Sequence, residues 1–516
     1  MISTGSATPC RDEAAGGPEP RSIPTFPRLP TIRGAPNLRA ILMAETFYEP
    51  LSYLDSSFLA LETRTTHMHV AGVALFEAGP LRRGDGGIDI ERIRVHIGSK
   101  LQYIPRYRQR LGYVPYNRSP VWIDDDTFSF DYHVRHTSLP RPGTDEQLRK
   151  LAGRIVSQQL DRSKPLWELW VVEGLENDRF AIIAKIHHCM IDGVSGVDLT
   201  TILLNVVPTA DVEDAPEWQP RPAPNGTQLA VAEIARTARR TIDNLGSVGE
   251  VVKESRQWLE SAARRLSAVR SSLESGWLTP AARTPLNPEI GPNRRFDWTE
   301  IPLDEVKEVK NALGGTLNDV VLATVAGAIR HFLEVHRQFP TNGIEFRVMA
   351  PVSVRKPDQR GQLGNQVAMW LVNLPVGEPD PVKRLRMISQ ETLHLKKSDQ
   401  ALGASTLVEL SRGTPLPLLS FANRLVGNSV RPFNMTVTNV PGPQFPVYLL
   451  ESKMLANFPI VPLWQRHGVG IALFSYDGRL LWGIHADYDA LPDSEDFIAS
   501  IHHSFGLLQN AAAARA

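Results

Sequence analysis

Residues Phe180–Ile186 form an almost unbroken apolar run that ends directly on His187-His188-Cys189-Met190-Ile191-Asp192-Gly193. A strand that is apolar at nearly every position is covered on both faces. The chain must therefore bury this strand inside a layered sheet and carry two histidines at its C-terminal end. Trp167–Val172 precedes it with strand character, and Glu173–Asp178 between them is rich in turn residues, so the two runs read as a hairpin. A helical pattern over Val197–Val206 follows. This strand–loop–helix passage is the most informative place in the sequence.

The rest of the chain supplies two layers of such elements. With 516 residues it exceeds one ordinary core. Pro, Gly, Ser and Arg enrichment marks 1–45 as a disordered tail, and Met43 is an alternative start to Met1. A first domain is expected over 46–210. Ser52 and Asp55 supply N-cap chemistry, Met68–Phe76 reads as a strand, and Ile90–Ile104 and Thr144–Gln159 read as helices. Val121–Ile123 and Phe128–Val134 read as a strand pair. Residues 211–284 are expected to form a linker and helical crossover, with Pro208–Pro224 rich in proline and Gln228–Leu278 helical. A second domain is expected over 285–508. It has strands at Phe296–Ile301, Phe346–Val352, Met435–Thr438, Gly468–Tyr476 and Arg479–Ala486. Its helices are Leu303–Ala312, Leu317–His336 (capped by Thr316 or Asn318), Pro381–Leu402 and Thr406–Leu425. Residues 509–516 read as a frayed tail.

Charge excludes some functions. Lys plus Arg and Asp plus Glu both number 56, so no global field favours nucleic acid or an anionic surface. The two cysteines, Cys10 and Cys189, make no disulfide framework and fit a reducing, cytoplasmic setting. No run reaches the roughly 18 apolar residues of a spanning helix, and 1–45 lacks a secretory h-region. Contact with membranes or lipid bodies is expected to be peripheral.

A histidine at a strand's end, followed four residues later by Asp192 and then Gly193, suits acyl transfer from a thioester to an alcohol. The hydroxyl must lose its proton as it attacks, and a neutral imidazole is the natural base. The oxyanion needs one or two fixed donors. Asp192 can brace the loop, and Gly193 permits a backbone that a Cβ would resist. A His-His pair beside a buried strand is as readily a packed core pair or half of a metal site. HHxxxD offers no obvious third and fourth ligand, however, so no metal is expected. Cys189 reads as a small buried hydrophobe rather than a nucleophile.

His187–Gly193 resembles the HHxxxDG motif of the bacterial wax ester synthase/diacylglycerol acyltransferase family. Other blocks carry the resemblance in order: residues 54–58 (LDSSF), Met68-His69-Val70, Pro165-Leu166-Trp167, Asn318-Asp319 with Val320–Leu322, Gly364-Asn365-Gln366, and Asn439 through Pro443. Together they span Leu51 to Asp493. The resemblance implies an α/β, two-domain CoA-dependent acyltransferase fold (chloramphenicol acetyltransferase-like), each domain a mixed sheet with flanking helices. It implies His188 as general base in direct transfer, with acyl-CoA as donor substrate and no permanently bound cofactor. His187 then shapes the pocket or serves as a packing residue without chemistry, and Asp192 pairs with an arginine of the second domain, for which Arg355 is the candidate. Asn318 and Asp319 either cap a helix or position the loop facing His188. Thr438 and Asn439 either donate to the oxyanion or form a turn. Trp167 reads as core, and His67 and His69 as structural.

For the acceptor, diacylglycerol is expected, giving triacylglycerol, with long-chain fatty alcohols and hence wax esters as the alternative. A condensation-type enzyme fed by a carrier protein, and a non-enzymatic coat protein on the same scaffold, are the readings from other classes.

Overall fold

The computed structural model describes residues 46–190, 202–246, 279–353, 367–397 and 431–515. Its strands in the first half are β1 (Glu49–Pro50), β2 (His69–Glu77), β3 (Gln109–Tyr113), β4 (Pro120–Asp124), β5 (Val134–Ser138), β6 (Trp167–Leu175) and β7 (Arg179–His187). Those of the second half are β8 (Arg294–Pro302), β9 (Phe346–Ser353), β10 (Val367–Leu374), β11 (Met435–Pro441), β12 (Tyr448–Leu449), β13 (Ser452–Ile460), β14 (Val469–Tyr476) and β15 (Arg479–Asp487). The longer described helices are α1 (Tyr53–Leu61), α2 (Ile90–Lys100), α3 (Asp145–Val156), α4 (Gly226–Gly246), α5 (Leu303–Leu313), α6 (Leu317–His331), α7 (Pro381–Lys397) and α8 (Ser494–Ala513).

Two six-stranded sheets organise the molecule, one in the order β12-β13-β2-β7-β6-β5 and the other β10-β9-β11-β14-β15-β8. Both are mixed: β5 runs parallel to β6, and β11 runs parallel to both β9 and β14, while the remaining neighbours are antiparallel. A small β1-β4-β3 sheet stands beside them. The apolar hairpin lies as the sequence indicates, with β7 flanked by β2 and β6 in the interior of the first sheet.

Local chemistry explains the helix starts. Ser52 caps α1 by accepting the Asp55 amide at 3.1 Å, and Thr144 with Gln147 forms a reciprocal capping box at α3. Ile93 and Ile97 of α2, and Leu148 and Ile155 of α3, cover the first sheet, where Phe76, Phe180 and Ile183 lie fully buried. The second core surrounds α6, which is buried from Asp319 to Ile329 and overlaid by Phe497, Ile501 and Phe505 of α8. Each large side chain sealed this way contributes about 1.5–3 kcal/mol.

The structure departs from the sequence reading most clearly in four places. β13, assigned no element, pairs with β2 in the first sheet although it comes from the C-terminal half. Its alternate residues Ser452, Met454, Ala456, Phe458 and Ile460 are buried, but Ser, Lys, Asn and Pro dilute the apolar signal. β10 is likewise an unassigned strand, paired along its length with β9. Phe128–Val134 is not the partner of Val121–Ile123: β4 pairs with β1 and β3, while Phe130–His133 makes one helical turn. His133 stacks there on Trp167 at 4.5 Å, and the chain then enters β5 beside β6. Finally, the end of the chain does not fray at 509, because α8 continues to Ala513 and buries Ala512 in the second core. The predicted helix at 406–425 and residues 247–278 of the crossover lie outside the described residues; of the helix predicted at 197–206 only 202–206 are described, where helix covers 202–203 and Asn205 instead bridges to Tyr448. Pro208–Asn225 has neither helix nor strand and is pinned where Arg221 grips Asp124 at 2.9 Å.

The two sheets meet where β13 crosses β15. A Cβ on Gly483 would lie 1.8 Å from the Pro459 carbonyl oxygen, so no larger residue fits without moving backbone. Trp298 of β8 stacks on Phe458 of β13 at 4.9 Å across the same seam. Arg149 of α3 reaches over Trp298 and pairs with Asp297 at 3.0 Å. Among the described residues no single helix is long and apolar enough to cross a membrane. Gly483→Ala is expected to cost about 1–3 kcal/mol through this overpacking. Urea unfolding checks it, and an unchanged midpoint would show that the seam yields freely.

Candidate active site

His188 is the first residue beyond β7, and its backbone continues the ladder: its N–H donates to the Met68 carbonyl at 2.7 Å. A single 3-10 turn, His188–Met190, then lifts the chain off the sheet. Phe58, projecting from α1, stacks on the His188 imidazole with centroids 3.9 Å apart and planes inclined by 23°. Nδ1 of His188 is sealed with no hydrogen-bond partner among the described residues. The residue as a whole is half-buried, whereas its neighbour His187 is 1% exposed. Burial pushes the His188 pKa down to about 4, against the opposing pull of its own backbone carbonyl. The ring is therefore neutral at physiological pH, the state in which an imidazole accepts a proton.

Beneath this residue lies a buried polar cluster. The β2–β7 register sets His69 directly opposite His187, on the same face of the sheet, with ring centroids 5.8 Å apart. Glu62, at the end of α1, places its carboxylate under both rings: Oε1 is 3.3 Å from His69 Nε2, and Oε2 is 3.6 Å from His187 Nε2. Arg162 closes the cluster, donating from Nη2 to Glu62 Oε2 at 2.6 Å and to the Leu59 carbonyl at 3.0 Å. Burial alone would raise the Glu62 pKa. Attraction to His187 and His69 outweighs it and holds the carboxyl far below the usual range, so it is anionic. Burial also drives His69 down to about 3, leaving it neutral.

His187 faces the other way with its second nitrogen. Nδ1 lies 3.1 Å from the Cys189 backbone N–H and accepts from it. The ring proton therefore sits on Nε2, on the side of Glu62. Cys189 itself is 1% exposed, and burial raises its thiol pKa well above the ordinary value, so it stays protonated. Among the described residues no three His, Cys, Asp or Glu side chains are disposed to hold a metal ion.

The remaining sequence-predicted residues are dispersed. Asp192, Gly193 and Arg355 lie outside the described residues. Asp319 is 2% exposed and both its oxygens are engaged: Oδ2 accepts the Thr316 N–H at 2.8 Å, and Oδ1 accepts the Thr392 hydroxyl at 2.7 Å. Thr316 in turn accepts the Asp319 N–H, making the capping box of α6, so the cap is Thr316 rather than Asn318. Asn318 is half-buried on the first turn. The preceding Gly314 and Gly315 take φ of +89° and +87°, the left-handed values that turn the chain by 96° between α5 and α6. Thr438 and Asn439 are half-buried on β11, registered against Ala472 and Leu473 of β14. Trp167 is fully buried, with its indole N–H donating to the Tyr107 carbonyl at 2.7 Å.

Residues 51–321 match the wax ester synthase/diacylglycerol acyltransferase catalytic domain, and 363–509 match the WS/DGAT C-terminal domain. The chain belongs to this family. Among curated WS/DGAT relatives, a probable diacylglycerol O-acyltransferase of Mycobacterium tuberculosis is 30% identical over 466 residues, covering 89% of this chain and 95% of its own. A second from that organism, a putative diacylglycerol O-acyltransferase, is 32% identical over 455 residues, 86% of this chain and 87% of its own. The solved wax ester synthase/diacylglycerol acyltransferase from Marinobacter aquaeolei VT8 superposes with a TM-score of 0.61 at 25% identity, over 90% of this chain and 100% of that one. The first condensation domain of the calcium-dependent antibiotic synthetase shares the fold, with a TM-score of 0.54 at 14% identity, covering 91% and 97%. The WS/DGAT chain thus has the two-domain, chloramphenicol acetyltransferase-like α/β fold with a mixed sheet in each half.

In this family member the HHxxxDG strand end is legible in the sequence, whereas the motif blocks leave out Glu62 and Arg162 and give Phe58, within LDSSF, no role. A signal existed. Glu62 is a carboxylate following an apolar helical stretch, seven residues before His69, and Phe58 stands one helical turn earlier. For Asp319 the geometry supports capping. Asp319→Ala is expected to cost about 1–2 kcal/mol of stability while leaving kcat within about twofold, well short of the loss expected for a general base. Denaturant titration alongside steady-state assays checks both, and a large fall in kcat at full stability would contradict the structural role.

Proposed function

We propose that this chain is an acyl-CoA-dependent O-acyltransferase that esterifies diacylglycerol to triacylglycerol, with His188 as general base. The observation that carries the reading is His188 itself. It is a neutral, half-buried imidazole at the end of a rigid strand, stacked on Phe58 and lying in the catalytic domain of the family. The mycobacterial relatives' names favour diacylglycerol as acceptor. Long-chain alcohols are the second acceptor class, favoured by the double name of the Marinobacter structure.

In the proposed reaction the acceptor hydroxyl attacks the thioester carbonyl while His188 takes its proton. The oxyanion is met by donors for which Thr438 and Asn439 are the candidates. The tetrahedral species collapses with loss of the CoA thiolate, which recovers the proton from the imidazolium. An ester and free CoA result, and no bond to the enzyme forms. His187 supports the turn. Asp192, followed by Gly193, braces the loop through Arg355, and Asn318 borders the site. The acyl chain and acceptor enter between the two halves of the molecule, shielded from water so that transfer outruns hydrolysis. Because both lipid substrates partition into membranes and lipid bodies, the enzyme works peripherally at such a surface.

His188→Ala is expected to lower kcat by about 10²–10⁴-fold with the fold retained. Labelled acyl-CoA offered with diacylglycerol or hexadecanol should give faster turnover on diacylglycerol, and a clear preference for hexadecanol would assign the second acceptor class. The pH profile follows in sign. Protonation removes the base, and the His188 pKa is depressed to about 4. Wild-type kcat should therefore hold steady as pH falls from 8 through 6.5, with no titration near the ordinary histidine value. A one-proton loss of kcat centred near 6.5 would contradict the depressed pKa and show a base that titrates as an ordinary histidine.

A further inference from the structure

The buried carboxylate under the two histidines has no role in the chemistry just described, yet its partners lead to His188 from two sides. One path runs through α1: Arg162 holds Glu62 and the Leu59 carbonyl together, fixing the end of the helix that carries Phe58. Phe58 then lies flat on the His188 ring. The other path runs through His187, whose Nε2 faces Glu62 and whose Nδ1 accepts the backbone N–H of Cys189, the residue directly after His188. An imidazole can accept at Nδ1 only if its proton is on Nε2, and what Nε2 faces decides which nitrogen carries it. A carboxylate there, with no proton of its own to offer, selects that tautomer.

We infer that Glu62 is a positioning residue for His188: its carboxylate fixes the His187 tautomer, His187 fixes the turn at Cys189, and the turn aims the base. This rests on the reading of His188 as the base. His69 contributes the second contact that orients the carboxylate, and Arg162 balances its charge in the sealed site. Arg162 and Glu62 thus join α1 to the loop before β6 and set both the stacking face and the backbone of His188.

Glu62→Gln keeps the shape but removes the charge: Arg162 draws the amide oxygen to the Oε2 position, the amide nitrogen faces His69, and the carboxylate that holds the His187 Nε2 proton is gone. It is expected to lower kcat by about 10- to 100-fold with KM for acyl-CoA within about twofold. His187→Asn retains an acceptor near the position of Nδ1 without a tautomer to select. It should keep more activity than Glu62→Gln, and adding Glu62→Gln to it should cost little further kcat. Multiplicative losses in the double variant, or wild-type kcat in Glu62→Gln, would overturn the inference. Should Glu62→Gln fail to fold, His187→Asn against His187→Phe decides: the inference requires the phenylalanine variant, which packs but accepts nothing, to lose kcat far more than the asparagine variant. Equal values would sink it. His188→Ala separates the two claims, since turnover surviving there defeats the base assignment. Its loss together with an unaffected Glu62→Gln defeats only the positioning role.

Discussion

One backbone register carries much of this molecule: the antiparallel pairing that sets His69 against His187 at the ends of β2 and β7. From it follow the shared face of the two rings, the space beneath them that Glu62 fills, and the point at which the chain leaves the sheet as His188. A slip of one residue between the two strands would put the two histidines on opposite faces and leave the Glu62 carboxylate facing only one of them. Breaking such a buried arrangement from one side costs about 3–5 kcal/mol, so the register and the polar cluster enforce one another.

The same sheet explains why the two halves act as one body. β13 comes from the C-terminal half, yet it pairs with β2, the strand that bears His69. Its Pro459 carbonyl lies against Gly483 of β15 in the other sheet. The strand that borders the candidate site is thereby held by the second half of the chain. Arg294 of β8 strengthens the tie by donating to the Thr65 carbonyl just before β2, while its own amide donates to Ser157 after α3 at 2.8 Å. Rigid support of this kind suits a base that must hold a hydroxyl and a carbonyl in attack geometry.

How much of this was legible depended on how strongly a feature is written in local chemistry. The apolar β7 run ending in two histidines, the Ser52 and Thr144 caps, and the helix before His331 are determined by neighbours in sequence, and the structure places them there. β13 was not legible, because its alternation is carried by Ser452 and Ala456 as much as by Met454 and Phe458. β10 is an eight-residue stretch, apolar except at Asn373, whose periodicity does not separate strand from helix. The β4–β5 pairing failed because Trp167 and His133, distant in sequence, decide where that segment goes. At the site, the motif pointed to His188 directly. Glu62 stayed hidden because its meaning lies in a cross-strand register and in Arg162, one hundred residues away.

The central claim is that a neutral His188 ring, aimed from below, receives the proton of the acceptor hydroxyl. The most direct measurement is the structure of the enzyme with a non-transferable acyl-CoA thioether and an alcohol acceptor bound together. The account predicts the hydroxyl within about 3 Å of His188 Nε2 and facing the carbon that stands for the thioester carbonyl. A hydroxyl held by another side chain, with the His188 ring shut away from both ligands, would contradict it.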